Sequence, residues 1–137
     1  MPRRFKNPPA ALDYAVDSLI PKGQGFIINV IGPAEEITDH AATVQIVDQN
    51  KAYGDGEFGL VLHLPFDPES ATQESYGLFK AFAQHVVFDD VSAGGIPCYA
   101  LKFGTDVTAA LHMLAAVLNK VFEYPELTAF ECELYEG

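Results

Sequence analysis

From Pro97 to Phe103 apolar and polar positions alternate: Tyr99, Leu101 and Phe103 fall on one side, Cys98, Ala100 and Lys102 on the other. A period of two is the pleat of a half-buried strand. After Gly104 the period changes. Val107, Leu111, Leu114, Leu118 and Val121 recur at spacings of four and three, and Ala110, Val117 and Phe122 widen the stripe. Thr108, His112, Asn119 and Lys120 lie opposite, so the segment predicts a helix with one buried face. Thr105 is placed to cap it, with Asp106 in the first turn, where the helix dipole favours a negative charge. Pro125 stops it. Each large aliphatic side chain buried along this stripe contributes about 1.5–3 kcal/mol, and the preceding strand offers a sheet to bury it against.

The same reading covers the rest of the chain. Asn7-Pro8 predicts a helix start, with Leu12, Ala15, Val16, Leu19 and Ile20 on one face and Pro21 as its end. Phe26–Ile31 is apolar on both faces, as in a covered strand. Ala42, Val44 and Ile46 alternate with Thr43 and Gln45 in a second strand. Asp48 to Glu57 reads as a turn-rich connection. Phe58, Leu60, Leu62 and Leu64 alternate with Gly59, Val61 and His63 in a third strand. Asp67-Pro68-Glu69 starts a helix with Tyr76, Phe79, Phe82, Ala83 and Val86 on its apolar side. That helix gives way near His85 to a short strand, Val86–Phe88, and Asp89-Asp90 reads as a turn. Finally Thr128, Phe130, Cys132 and Leu134 alternate with Ala129, Glu131, Glu133 and Tyr135. The glutamates give this last strand a negative outer face, a device by which sheet edges avoid pairing with other chains. The order α-β-β-β-α-β-β-α-β predicts one α+β domain: a mainly antiparallel sheet of five to six strands packed with three helices.

Composition narrows the class. At 137 residues, 49% hydrophobic and 20% charged, the chain is globular rather than disordered. No apolar run approaches the roughly 20 residues that cross a bilayer. The basic start (Arg3, Arg4, Lys6) runs into Asp13 and Asp17 rather than into the apolar core of a signal peptide. A cytoplasmic location is therefore expected, and Cys98 and Cys132, both in predicted strands, read as buried reduced thiols. The formal net charge is −11, and from residue 23 onward 17 acids face four lysines. Such a body repels nucleic-acid phosphates and anionic membranes, which sets both aside as partners, and favours a basic protein surface. Solubility alone accounts for the same charge.

No motif carries chemistry by itself. Gly54-Asp55-Gly56-Glu57-Phe58-Gly59 has the spacing of a dinucleotide fingerprint, but a strand follows where a helix is needed, and two acids stand where phosphate would sit. Asp48-Gln49-Asn50 begins like a calcium loop, yet Ala52, Tyr53 and Gly59 replace the residues such a loop requires. His40, His63, His85 and His112 lack metal-ligand spacing, so no metal and no cofactor is expected. Tyr53, Tyr124 and Tyr135 are the aromatics least explained by core periodicity and are expected at the surface. The order of the first eight elements resembles that of small acidic secretion chaperones with a helix-sheet-helix layout, a likeness of layout.

Two functional classes follow. One is a non-catalytic protein-binding module of chaperone, immunity or adaptor type, docking a basic partner on Tyr124, Glu131, Glu133 and Tyr135. The other is a small-molecule-binding or enzymatic domain with a pocket between helix and sheet that draws on His63, His85 and Cys98. A homodimer is compatible with either.

Overall fold

The computed structural model describes residues 3–31, 44–65, 73–84, 86–92, 94–95, 97–120 and 131–136. Within them the chain is α+β, as its patterning predicts: an antiparallel sheet of seven strands with four helices. The elements are β1 (Arg3–Phe5), α1 (Pro8–Tyr14), β2 (Phe26–Ile31), β3 (Gln45–Asp48), α2 (Gln49–Tyr53), β4 (Leu60–Pro65), α3 (Gln73–Phe82), β5 (Asp89–Asp90), β6 (Cys98–Gly104), α4 (Val107–Lys120) and β7 (Glu131–Glu136). The strand order is β1-β7-β2-β3-β4-β6-β5.

Local chemistry explains the boundaries. Asn7 Oδ1 accepts the Ala10 N–H at 3.0 Å and caps α1, with Pro8 first in the helix. Pro21 supplies no N–H to continue the ladder. The chain leaves through a wide π turn, Ala15–Leu19, and a 3-10 turn, Ile20–Lys22. At the start of α4 the cap is Asp106 rather than the expected Thr105: its Oδ1 accepts the Ala109 N–H at 3.0 Å. An acid at this position both satisfies an orphan donor and complements the helix dipole.

Three elements depart from the sequence reading. The stretch from Asp48 to Glu57, whose composition predicts a turn-rich connection, holds α2, a five-residue helix. Asp48 Oδ1 accepts the Lys51 N–H at 2.9 Å, Asp48 Oδ2 accepts the Phe26 N–H at 3.1 Å, and Gly54 closes the helix at φ 67°. The acid that begins like a calcium ligand is thus a buried cap with both oxygens occupied. The strand expected at Val86–Phe88 lies instead at Asp89–Asp90, pairing with Ala100 and Tyr99 of β6. Arg3–Phe5, basic and too short to show a period, forms an edge strand on β7. The glycine-rich run serves backbone approach: a Cβ on Gly59 would stand 3.2 Å from the Gly104 Cα, where β4 and β6 shift register.

The largest correction concerns the last strand. β7 is not an edge. It lies between β1 and β2, antiparallel to both.

The main core fills the space between one face of the sheet and the helices. Ile28, Ile46, Leu62, Leu64, Cys132 and Leu134 from the strands meet Leu12, Leu19, Phe79, Leu114 and Leu118. Tyr99 and Phe103 of β6 join them, with Tyr99 and Phe79 ring centroids 4.8 Å apart. Thr108, His112, Asn119 and Lys120 are exposed, as the α4 stripe requires. The helix start at Asp67-Pro68-Glu69, the loop bearing His40, the residue His85 and the segment holding Tyr124 and Pro125 lie outside the described residues.

Candidate functional site

The opposite face of the sheet carries the residues that alternate with the core. Register places Arg4, Glu133, Asn29, Gln45, His63, Ala100 and Asp89 side by side, one from each strand. Six of the seven are polar. A second row, Tyr135, Ile27, Val47, Val61 and Lys102, runs beside it. Its middle, together with Ala100 of the first row, is apolar: Val47, Val61 and Ala100 are buried, with Ile27, Ala52, Tyr53 and Val91 packed around them. Ala52 and Tyr53 come from α2, so the short helix roofs this small cluster.

At one end Arg4 bridges the two glutamates of β7. Its guanidinium donates to Glu133 Oε1 at 2.7 Å and stands 3.4 Å from Glu131 Oε2. Tyr135 Oη donates to the other Glu133 oxygen at 3.0 Å. These bonds, from Arg4 first and then Tyr135, hold the Glu133 carboxyl below its usual range. Tyr135 itself is 41% exposed. Three of the four residues expected to form an acidic-aromatic surface therefore do share a face, but a cation already sits between the two acids. Tyr124 lies outside the described residues.

On the other side of the same face the polar row becomes a relay. Gln45 Nε2 donates to Asn29 Oδ1 at 2.9 Å, and Gln45 Oε1 lies 3.0 Å from His63 Nδ1. An amide oxygen only accepts, so in this orientation Nδ1 carries the imidazole proton and Nε2 presents its lone pair. Cys98 Sγ is 3.0 Å from that Nε2. The thiol donates to it. Burial, and then the charge of Lys51, lowers the His63 pKa, while burial and then Asp90 push the Cys98 thiol up to about 11. The resting pair is a neutral thiol on a neutral imidazole. Ser92 fixes the backbone beneath it: its Oγ accepts the Cys98 N–H at 2.8 Å and donates to the Cys98 carbonyl at 3.3 Å.

Tyr53 closes the β6 end of the face. Its hydroxyl donates to Asp89 Oδ2 at 2.5 Å, and Lys102 Nζ stands 4.2 Å from its ring centroid and 3.8 Å from Asp55 Oδ2. Burial and the Asp89 bond raise the Tyr53 pKa. The tyrosine expected at the surface is half-buried in use as a strut.

Two of the three residues expected in a pocket, His63 and Cys98, are thus in contact, on the face away from α1, α3 and α4; His85 lies outside the described residues. A cleft of about 330 Å³ lies near Ile27, Asp48, Lys51, Phe58, Tyr135 and Glu136. A larger apolar cleft of about 490 Å³ lies between α3 and α4, at Leu78, Ala81, Phe82, Val86, Ala116 and Lys120. Among the described residues no cluster of three or more His, Cys, Asp or Glu could hold a metal, and no helix is long and apolar enough to cross a membrane. The alternation marks Asn29, Gln45 and Arg4 only as outward or flanking positions; their alignment with His63 depends on strand order and register. Compared with known proteins, the chain matches no family model, no curated protein and no solved structure.

Proposed function

We propose that the protein is a non-catalytic binding module that docks a basic protein partner on the open face of its sheet. The observation that carries this reading is the composition of that face: half-buried apolar residues (Ile27, Ala52, Tyr53, Val91), packed over the buried Val47 and Val61, are rimmed by Glu131, Glu133, Asp55 and Asp89. Arg4 and Lys102, which share the face, already lie against carboxylates, so the excess charge presented outward is negative. An apolar centre inside a polar rim is the usual anatomy of a docking surface. A second copy of the chain is a poor occupant, because two such rims repel. The two free, buried thiols support a reducing, cytoplasmic location.

The test is capture from a lysate of the source cells on immobilised protein, at low and moderate salt, beside the variant Glu133→Lys/Asp89→Lys. A stoichiometric basic protein that weakens with salt and is lost by the variant supports the reading. Retention of the same protein by the variant, or no specific retention at low salt, overturns it. The enzymatic alternative draws on the 3.0 Å contact between Cys98 and His63.

A further inference from the structure

We propose that Cys98 is a modification site for uncharged α,β-unsaturated carbonyl compounds, with His63 taking the thiol proton as the sulfur adds. The two cysteines make the case by contrast. Cys132 is 0% exposed within the apolar core, and burial pushes its thiol up to about 12. Cys98 is buried as well, at 7% exposure, but it lies on the sheet face away from the main core, with its sulfur 3.0 Å from a basic nitrogen. The relay from Asn29 through Gln45 holds that nitrogen in its accepting form.

The surroundings select the chemistry. In acyl transfer, the nucleophile's own N–H commonly helps bind the developing oxyanion. Here the Cys98 N–H is bound to Ser92 Oγ. Sulfur can add, but nothing in that amide turns an acyl group over. Conjugate addition needs no such donor at the sulfur. Sulfur forms a bond to the β-carbon as its proton passes to His63 Nε2; the C=C pair moves to the enolate, and the imidazolium returns the proton to the α-carbon through water. Atoms and charge balance without an oxidant. A thiol of high pKa yields a strongly nucleophilic sulfur once the proton is removed. Asp89 and Asp90 stand on the adjoining strand, and the charge of Asp90 acts on the thiol, so anionic electrophiles are repelled.

Among the described residues, the charged and titratable groups on this face near the pair are Lys51 and Tyr53 from α2, Asp89 and Asp90 from β5, and Lys102 of β6. Asp90, held below its usual range by Ser92, stays ionised between pH 7 and 9, and Tyr53, raised by burial, stays neutral. His63, lowered, is unprotonated across the same window.

The experiment treats the native protein with acrylamide and follows each cysteine by peptide mass mapping. Cys98 is expected to react and Cys132 to stay protected. Between pH 7 and 9 the Cys98 rate should be nearly flat, because the base is already neutral. A bare thiol reacting through its ionised fraction would instead gain about tenfold per pH unit. Native His63→Gln, checked for fold by its melting curve, should react at least about tenfold more slowly at pH 8, the low end of a general-base effect or below it. Acrylate, with each rate referred to the urea-unfolded chain, should be disfavoured relative to acrylamide. A tenfold-per-unit rise in wild type, a rate undiminished in His63→Gln, an unreactive native Cys98, or equal treatment of acrylate overturns the proposal. The pH profile uses wild type alone and stands even where the variant fails to fold.

Discussion

On the helix side of the sheet Ile28, Ile46, Leu62 and Tyr99 meet Leu12, Phe79 and Leu114. One residue along each of the same strands, Asn29, Gln45, His63 and Cys98 form a chain of polar contacts with one another. The first set is held by area removed from water and fits many arrangements of similar volume. The second set fits one register. A slip by one residue would turn the relay into the core and the aliphatics outward. The two faces divide the labour: the covered face supplies most of the stability, and the open face makes the pairing of four strands unique.

Leu114→Ala, in the covered core, should cost about 2–5 kcal/mol in urea unfolding, whereas Gln45→Ala should cost about 1 kcal/mol. Equal losses would show that the open face bears as much stability as the core. Asp48 is the exception on which both sides lean, since it is buried and ties the start of β2 to α2. Asp48→Asn replaces one acceptor by a donor facing a backbone N–H, and should cost about 1–3 kcal/mol in the same measurement.

Alkaline titration sharpens the contrast at smaller scale. Both thiols have folded pKa values above the unfolded value of 9.0, so their contribution is complete below pH 9 and is lost as pH rises. The loss from Cys98 runs from pH 9 to about 11, and that from Cys132 continues to about 12. Stability measured against pH should therefore fall above pH 9, less steeply in Cys132→Ser than in wild type. His63, lowered in the fold, adds the opposite limb: its contribution is full above pH 6.5 and is lost as pH falls below that value.

How much of this was legible depends on element length. α4 is long enough for a period to show, and its buried side follows it. β2, β4 and β6 show as apolar or alternating runs, but β4 and β6 bury residues on both faces, Val61, Cys98 and Ala100 lying under the second cluster and the Ser92 turn. β1 and β5 have three residues and two. They carry no period and exist because a neighbour supplies hydrogen-bond partners; Asp89-Asp90 has turn composition and becomes a strand by pairing with β6. α2 was signalled only by its capping acid, which the glycines after Tyr53 masked. The contact between His63 and Cys98 could not be read at all, because 35 residues separate them and only the pairing of β4 with β6 joins them. The acidic outer positions of β7 were visible; the arginine that bridges them belongs to a strand 129 residues earlier.

The position of β7 also sets an order of events. Of the described elements β1 is the earliest in sequence and its partner β7 the latest, so Arg3–Phe5 cannot be paired until Glu131–Glu136 have been made. Until then β2 presents an unpaired apolar edge. Contacts of such long sequence separation close slowly, and an open strand edge invites other chains. Nascent protein, or any product cut short before Glu131, should be the species that associates.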